Sequence, residues 1–282
     1  MNNNGVSSYM PLSLISQIKK TKTIIEENKN KECIDLSKYR FIAPTTLLPL
    51  LQYMELNKIT NYIPHNNTKH YLNMVLGEGR SNTNTIPLRK LKKFQGNYFQ
   101  IADSIELYLS NLTDEIVDLI DSEVDTQSFN LLFYEMLDNI YKHSKFNNAY
   151  VLCQKYPYVN TIDICIIDDG ISIPGSFEES NIKVINDSET IFEAINGETT
   201  DKEKYALHGR GLNTSVSITT LGYGEEMLIA SRNGTCTITK EGVKLWDDLS
   251  FIEGTFVTLR VNTNKIKNIH NYTKRRLVKK LK

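Results

Sequence analysis

Two β-rich runs, AYVLCQKY (149–156) and TIDICIIDD (161–169), are separated only by the short turn Pro157–Asn160. Their place between helical patterns limits the fold more than any other feature. Upstream, residues 101–121 and 126–145 read as two helices. Downstream, a long polar segment from Pro174 leads into HGRG, and a connection of that length in a compact domain is usually functional. LNTSVSITTLG (212–222) then reads as a helix ended by Gly222. EMLIASRNGTCTIT (226–239) reads as a hairpin about Asn233 and Gly234, and GTFVTLRV (254–261) as a last strand. Helix, strands, long connection, helix, strands predicts an α/β fold, with helices on one face of a mixed sheet.

A smaller α/β module precedes this, over residues 1–78. The first thirty residues are polar and lysine-rich around KKTKTIIEENKNK, and read as leader or edge structure. ECIDL (32–36) and NYIP (61–64) are short strands. PTTLLPLLQYMEL from Pro44 is a helix with Thr45 or Thr46 as its cap, and KHYLNMVLG (69–77) is a short helix stopped by Gly77. Residues 79–100 carry Pro87, Gly79 and Gly96 and interrupt the periodicity, which marks a linker to a domain spanning 101–263. The tail, 264–282, holds eight Lys or Arg and no acid, and reads as a solvated end.

Composition excludes some classes of protein. Thirty-three basic residues balance thirty-three acidic ones, so no global field favours nucleic acid or an anionic membrane. Cys33, Cys153, Cys165 and Cys236 are too widely spaced for paired zinc ligands and form no disulfide framework; they read as reduced and mostly buried. No apolar run approaches the ~20 residues of a membrane span, and MNNNGVSSYM lacks the form of a signal peptide, so a cytoplasmic protein is expected.

Candidate chemistry gathers at three places. In FYEMLDNIYKHS (133–144), with about 100° of rotation per residue, Glu135, Asp138, Asn139, Lys142 and His143 share one arc of a helix, opposite Phe133, Met136, Leu137 and Ile140. Asp168 and Gly170 emerge where the second β-run ends; the first can accept from an amine and the second admits a flat ligand, although an ordinary Asp-Gly turn has the same residues. Gly209 and Gly211 precede a helix whose free N–H groups suit an anion, or merely cap it.

A helix with E-x-x-x-N, a strand ending D-x-G, a long connection, G-x-G opening a helix and a strand beginning G-T-x-V together resemble the motif series of the GHKL ATPase superfamily. That superfamily includes gyrase-type topoisomerases, histidine kinases, mismatch-repair ATPases and the serine kinases that act as anti-sigma factors. The resemblance runs from about Glu115 to Val261 and implies a GHKL-type α/β sandwich that binds ATP and Mg2+. It implies Asn139 as the Mg2+ ligand and Asp168 as acceptor for the adenine amino group, with Thr255 supporting that contact through water. Gly209, Arg210, Gly211 and Leu212 would border the triphosphate under a lid formed by 174–208, and Gly170 and Ser172 would line the nucleotide. Glu135 would be the catalytic base or would orient the attacking oxygen. Lys142 would offset phosphate charge, unless it is a surface lysine paired with Asp138. His143, in HS, is similar to the H-[SA] ending of the anti-sigma kinase helix. Ser172 departs from the pattern, standing at the second glycine of D-x-G-x-G. None of the five histidines has the acidic neighbour of a histidine-kinase phosphoacceptor helix.

RFIAPTTLLPLL (40–51) faintly resembles a stretch of STAS domains, the modules that anti-sigma kinases phosphorylate, with Thr45 at the acceptor position. The functional expectation is an Mg-ATP-binding regulator that hydrolyses ATP or phosphorylates Ser/Thr of a protein partner, pairing as a homodimer as anti-sigma-type relatives often do. The alternatives are a non-catalytic, nucleotide-gated interaction module and, third, a DNA-acting ATPase using the basic tail.

Overall fold

All eight residues of TIDICIID are buried, and the described chain is arranged to bury them. The computed structural model describes residues 12–77, 84–95, 98–120, 133–134, 136–196, 211–218, 224–263 and 279–281. Strand β5 (Thr161–Asp168) is the middle of a five-stranded sheet of order β3-β4-β5-β7-β6, with β3 (Thr85–Lys90), β4 (Ala149–Tyr156), β6 (Gly224–Thr239) and β7 (Gly242–Asn262). A strand buried on both faces reads as a nearly continuous apolar run, as this one does.

The side chains of β5 divide by parity. Ile162, Ile164 and Ile166 enter a core with Leu109, Leu112 and Ile116 of α4 (Tyr98–Ile120), Phe133, Met136, Leu137 and Ile140 of α5 (helical at 133–134 and 136–139), Ile191 and Ile195 of α7 (Asp187–Ile195), and Val216 of α8 (Gly211–Ile218). Helix α6 (Ile173–Glu179) precedes α7. Cys165 and Ile167 face the opposite core, with Leu14, Ile18 and Ile24 of α1 (Leu14–Glu27), Leu47, Leu48 and Leu50 of α2 (Pro44–Leu56), and Leu72 and Val75 of α3 (Asn66–Val75). Burying each such side chain contributes about 1.5–3 kcal/mol. The α/β class expected from sequence holds.

Several expectations are corrected. Helices cover both faces of the sheet, because the amino-terminal helices share a core with it instead of standing apart as a module. The five-stranded sheet is antiparallel at every described pairing and not mixed; only the two-stranded sheet of β1 (Cys33–Leu36) and β2 (Asn61–Pro64) is parallel. The expected linker supplies edge strand β3, where Ile86 is buried and Pro87 falls at an irregularity of register, the position an edge strand tolerates. The first thirty residues include α1, whose inner face is fully buried.

No hairpin forms at Asn233–Gly234. β6 runs on to Thr239, with irregular register around Arg232, whose φ is 51°; the strands turn between Thr239 and Gly242. Gly234 is needed there because a Cβ would lie 2.4 Å from the amide N of Ser188. Helix α2 is capped at Ala43 without a side-chain bond. Thr45 and Thr46 are instead fully buried, Thr46 Oγ1 donating to Gln17 O at 2.9 Å and Thr45 Oγ1 to Thr258 Oγ1 at 3.4 Å. The tail returns at 279–281, where Val243 N donates to Lys279 O (2.8 Å) and Leu281 N to Val243 O (2.7 Å), while Lys280 pairs with Glu189. Its described end is therefore docked on β7. Three of the four free cysteines are buried and Cys33 is partly so, as expected.

One charged pair crosses the amino-terminal side of the sheet. Arg260, opposite Asp163 in the ladder, donates from Nε to Oδ1 (2.7 Å) and from Nη2 to Oδ2 (2.8 Å), and its Nη1 holds Leu12 O at 2.9 Å. Arg260→Met leaves a fully buried carboxylate unpaired and is expected to lower the unfolding free energy by about 3–5 kcal/mol in urea titration. Asp163→Leu combined with Arg260→Met is expected to recover most of that loss.

Candidate functional site

Asp168 is the last residue of β5, on the face carrying α4 and α5, and is 2 % exposed. Its carboxylate accepts from the Gly170 amide at 2.8 Å, with the Thr255 amide and the Ser144 hydroxyl as further polar neighbours that favour its ionised form. Desolvation outweighs those donors and raises the carboxyl from the usual range to about 7. Thr255 stands directly opposite Asp168 in the β5–β7 ladder, with its side chain half-buried. Its Oγ1 lies 3.3 Å from Ser231 Oγ, which also donates to Gly254 O (2.6 Å) and accepts from Ile173 N (3.0 Å).

Close main-chain approach builds the site from both sides. A Cβ on Gly254 would stand 2.4 Å from Asp168 O, and one on Gly170 only 2.0 Å from Ser144 O. Gly170 thus serves the end of α5 directly: Ile171 N donates to Ser144 O at 2.7 Å. Helix α5 ends in a π turn, Ile140–Ser144, followed by Lys145 in the left-handed region, and this turn carries Ser144 against Asp168. Asp169 holds the next loop, accepting from Asn147 N (2.6 Å), Asn148 N (2.7 Å) and Asn148 Nδ2 (3.0 Å).

Ser172 has a positive-φ backbone. Its φ of 71° and ψ of 163° lie in a region that is essentially glycine-only. Its hydroxyl caps α6, accepting from Gly175 N at 3.0 Å. Arg232 then binds Glu178 through two hydrogen bonds of 2.8 and 2.7 Å, so the first turns of the expected lid are tied to β6.

Of the residues singled out from sequence, Asp168, Gly170, Ser172 and Thr255 come together where β5 and its ladder with β7 end. Asn139 is half-buried in α5, one residue before the π turn. Lys142 makes the surface pair with Asp138 at 2.5 Å; His143 is exposed. Gly211 opens α8, and Leu212 packs against the helical core. Glu135, Gly209 and Arg210 lie outside the described residues, as does the expected lid beyond Asn196.

The chain matches no family model, no curated protein and no solved structure.

Sequence reasoning missed Ser144, Ser231 and Gly254. Gly254, within GTFV, and Ser144, in HS, stood inside motifs already singled out, whereas Ser231 carried no signal. Among the described residues, no group of three His, Cys, Asp or Glu could hold a metal ion, and no helix is long and apolar enough to cross a membrane. A shallow cleft of about 100 Å3 lined by Leu48, Leu51, Gln52, Glu55, Leu88 and Tyr150 lies on the opposite side of the sheet from Asp168's side chain.

Ser172→Ala removes the cap while keeping the unfavourable backbone, and is expected to destabilise by about 1 kcal/mol in chemical denaturation. Ser172→Gly also loses the cap but relieves the backbone, so it is expected to be less destabilising than Ser172→Ala.

Proposed function

We propose that this chain binds Mg-ATP at the Asp168 end of β5 and couples nucleotide state to a protein partner, as a GHKL-type ATPase or serine/threonine kinase of the anti-sigma kind. The observation that carries this reading is the buried Asp168 carboxylate with Thr255 directly across the ladder. An ionised carboxylate in that position accepts from an amino group, and the adjacent hydroxyl adds polar contact at the same edge. Gly170 and Gly254 keep side chains away from that edge.

The residues fit the proposed ligand on its base side. On the phosphate side, Gly211 and Leu212 head α8, and Asn139 would offer Mg2+ its side-chain oxygen. Mg2+ takes few protein ligands and supplies charge neutralisation to phosphate oxygens when bound. Glu135 would orient or deprotonate the attacking group.

A second reading, a nucleotide-gated interaction module without turnover, is favoured by the Ser172 cap and the Arg232–Glu178 clamp, which hold the start of the lid. The DNA-acting reading is weakened by the docked tail end, where Lys280 is paired with Glu189. Thr45 is removed as a phosphoacceptor by its complete burial. The homodimer implied by the resemblance remains part of this proposal, and sedimentation equilibrium reads it.

Incubation with Mg2+ and γ-phosphate-labelled ATP tests the reading. Label leaving ATP in the wild type and not in Glu135→Ala supports an enzyme, and its destination separates ATPase from kinase. Label that stays on bound ATP supports the gated module, whereas no binding contradicts both. Asp168→Asn is expected to weaken Mg-ATP by roughly 10- to 100-fold in equilibrium binding, the worth of a hydrogen bond to a charged group.

Binding is also expected to depend on pH. With the carboxyl at about 7, lowering pH through that value adds the proton that blocks its acceptor. Affinity is therefore expected to fall roughly tenfold from pH 8 to pH 6, as the ionised fraction falls. An Asp168→Asn variant is expected to lack that dependence.

A further inference from the structure

We infer that Gln52, on α2, is a positioning residue for the nucleotide site, acting through the main chain of Asp168; the inference rests on the nucleotide-binding reading. Gln52 is 8 % exposed, and it reaches the site from the core opposite the Asp168 side chain. Its Nε2 donates to Asp168 O at 3.0 Å, and its Oε1 accepts from Glu253 N at 3.4 Å. One side-chain amide therefore joins the end of β5 to β7 at the point where their ladder finishes.

That point needs an outside support. Asp168–Thr255 is the last pair of the β5–β7 ladder. Glu253 and Gly254 fall in the interruption of β6–β7 pairing between Ile252 and Thr255. Gly254 is pressed against Asp168 O without room for a Cβ, so a small shift of either strand moves the carboxylate that would read adenine. A carboxamide supplies one donor and one acceptor at fixed spacing, which matches a carbonyl and an amide on adjacent strands. A carboxylate at this position would offer acceptors to both, and a thioether would leave the buried Asp168 carbonyl without this donor.

The consequence is a physical link between the amino-terminal helices and the nucleotide site. Helix α2 bears on the sheet through Leu47, Leu48 and the Thr45–Thr258 contact, and Gln52 lies on the same helix. A change at the Gln52 side chain is thereby conveyed to Asp168, although Gln52 itself would not touch nucleotide.

The test measures equilibrium binding of Mg-ATP and Mg-GTP by the full chain, in the wild type, Gln52→Met, Gln52→Glu and Thr45→Val, with the denaturation midpoint of each. Because Asp168 would select adenine, its displacement is read as lost preference for ATP over GTP. Both Gln52 variants are expected to lose roughly three- to tenfold of that preference, the range of one buried hydrogen bond, with GTP affinity unchanged. Thr45→Val, which removes a contact of α2 with β7 while leaving both Gln52 bonds in place, is expected to lower the midpoint and keep the preference. An unchanged ATP-to-GTP ratio in folded Gln52→Met and Gln52→Glu overturns the positioning role while leaving the nucleotide reading standing. A wild-type protein that binds neither nucleotide, or both equally, overturns the adenine reading and the inference with it.

Discussion

A central strand with no exposed face governs the rest of this structure. TIDICIID places Ile162, Ile164 and Ile166 on one side and Asp163, Cys165 and Ile167 on the other, and all are buried. Two layers of helix are therefore required. Asp163 would be prohibitively placed in an apolar layer without a partner, and Arg260 across the ladder supplies two hydrogen bonds while its third nitrogen fixes Leu12 O. The entry of α1 is thus tied to the centre of the sheet, and the amino-terminal helices are part of the same folding unit as the strands they cover.

The candidate site follows from where that strand stops. At Asp168 the carboxylate still lies in the buried layer, but the chain must turn away. Gly170 admits the carbonyl of Ser144 and Gly254 admits Asp168 itself. The result is a carboxylate held in place by main-chain amides and one hydroxyl, with its proton affinity raised by burial. Desolvating a carboxylate is costly, and the donors around it offset only part of that cost. Ser172 holds a backbone conformation that is essentially glycine-only, with its hydroxyl capping α6.

Helices α2 to α5, α8 and most strands were legible because each carries its own pattern, whereas α1 falls where leader or edge structure was expected and α6 and α7 within the expected polar connection. PTTLLPLLQYMEL and TIDICIID needed no neighbour to be recognised. The Asp168–Thr255 juxtaposition was anticipated only through the ordered series of motifs, since nothing local pairs residues 87 positions apart. What failed was information held by partners. The leucines of α2 declare an apolar face without naming the sheet it covers. Thr45 and Thr46 have cap chemistry but lie inside an interface. Asn233–Gly234 has the strongest turn signal in the chain, yet the glycine is used for contact with Ser188 and the strand continues. TIPLRK carries a proline and two bases, which suit an edge strand as well as a linker.

The central claim, that the end of β5 opposite Thr255 receives adenine nucleotide, is tested most directly by mapping amide chemical-shift changes while Mg-ATP is added to the full chain. The account predicts saturable changes concentrated at Asp168–Ser172, Gly254–Thr255 and the end of α5 around Ser144. Absence of saturable change, or changes confined to the α2–β4 cleft or the docked tail, would contradict it.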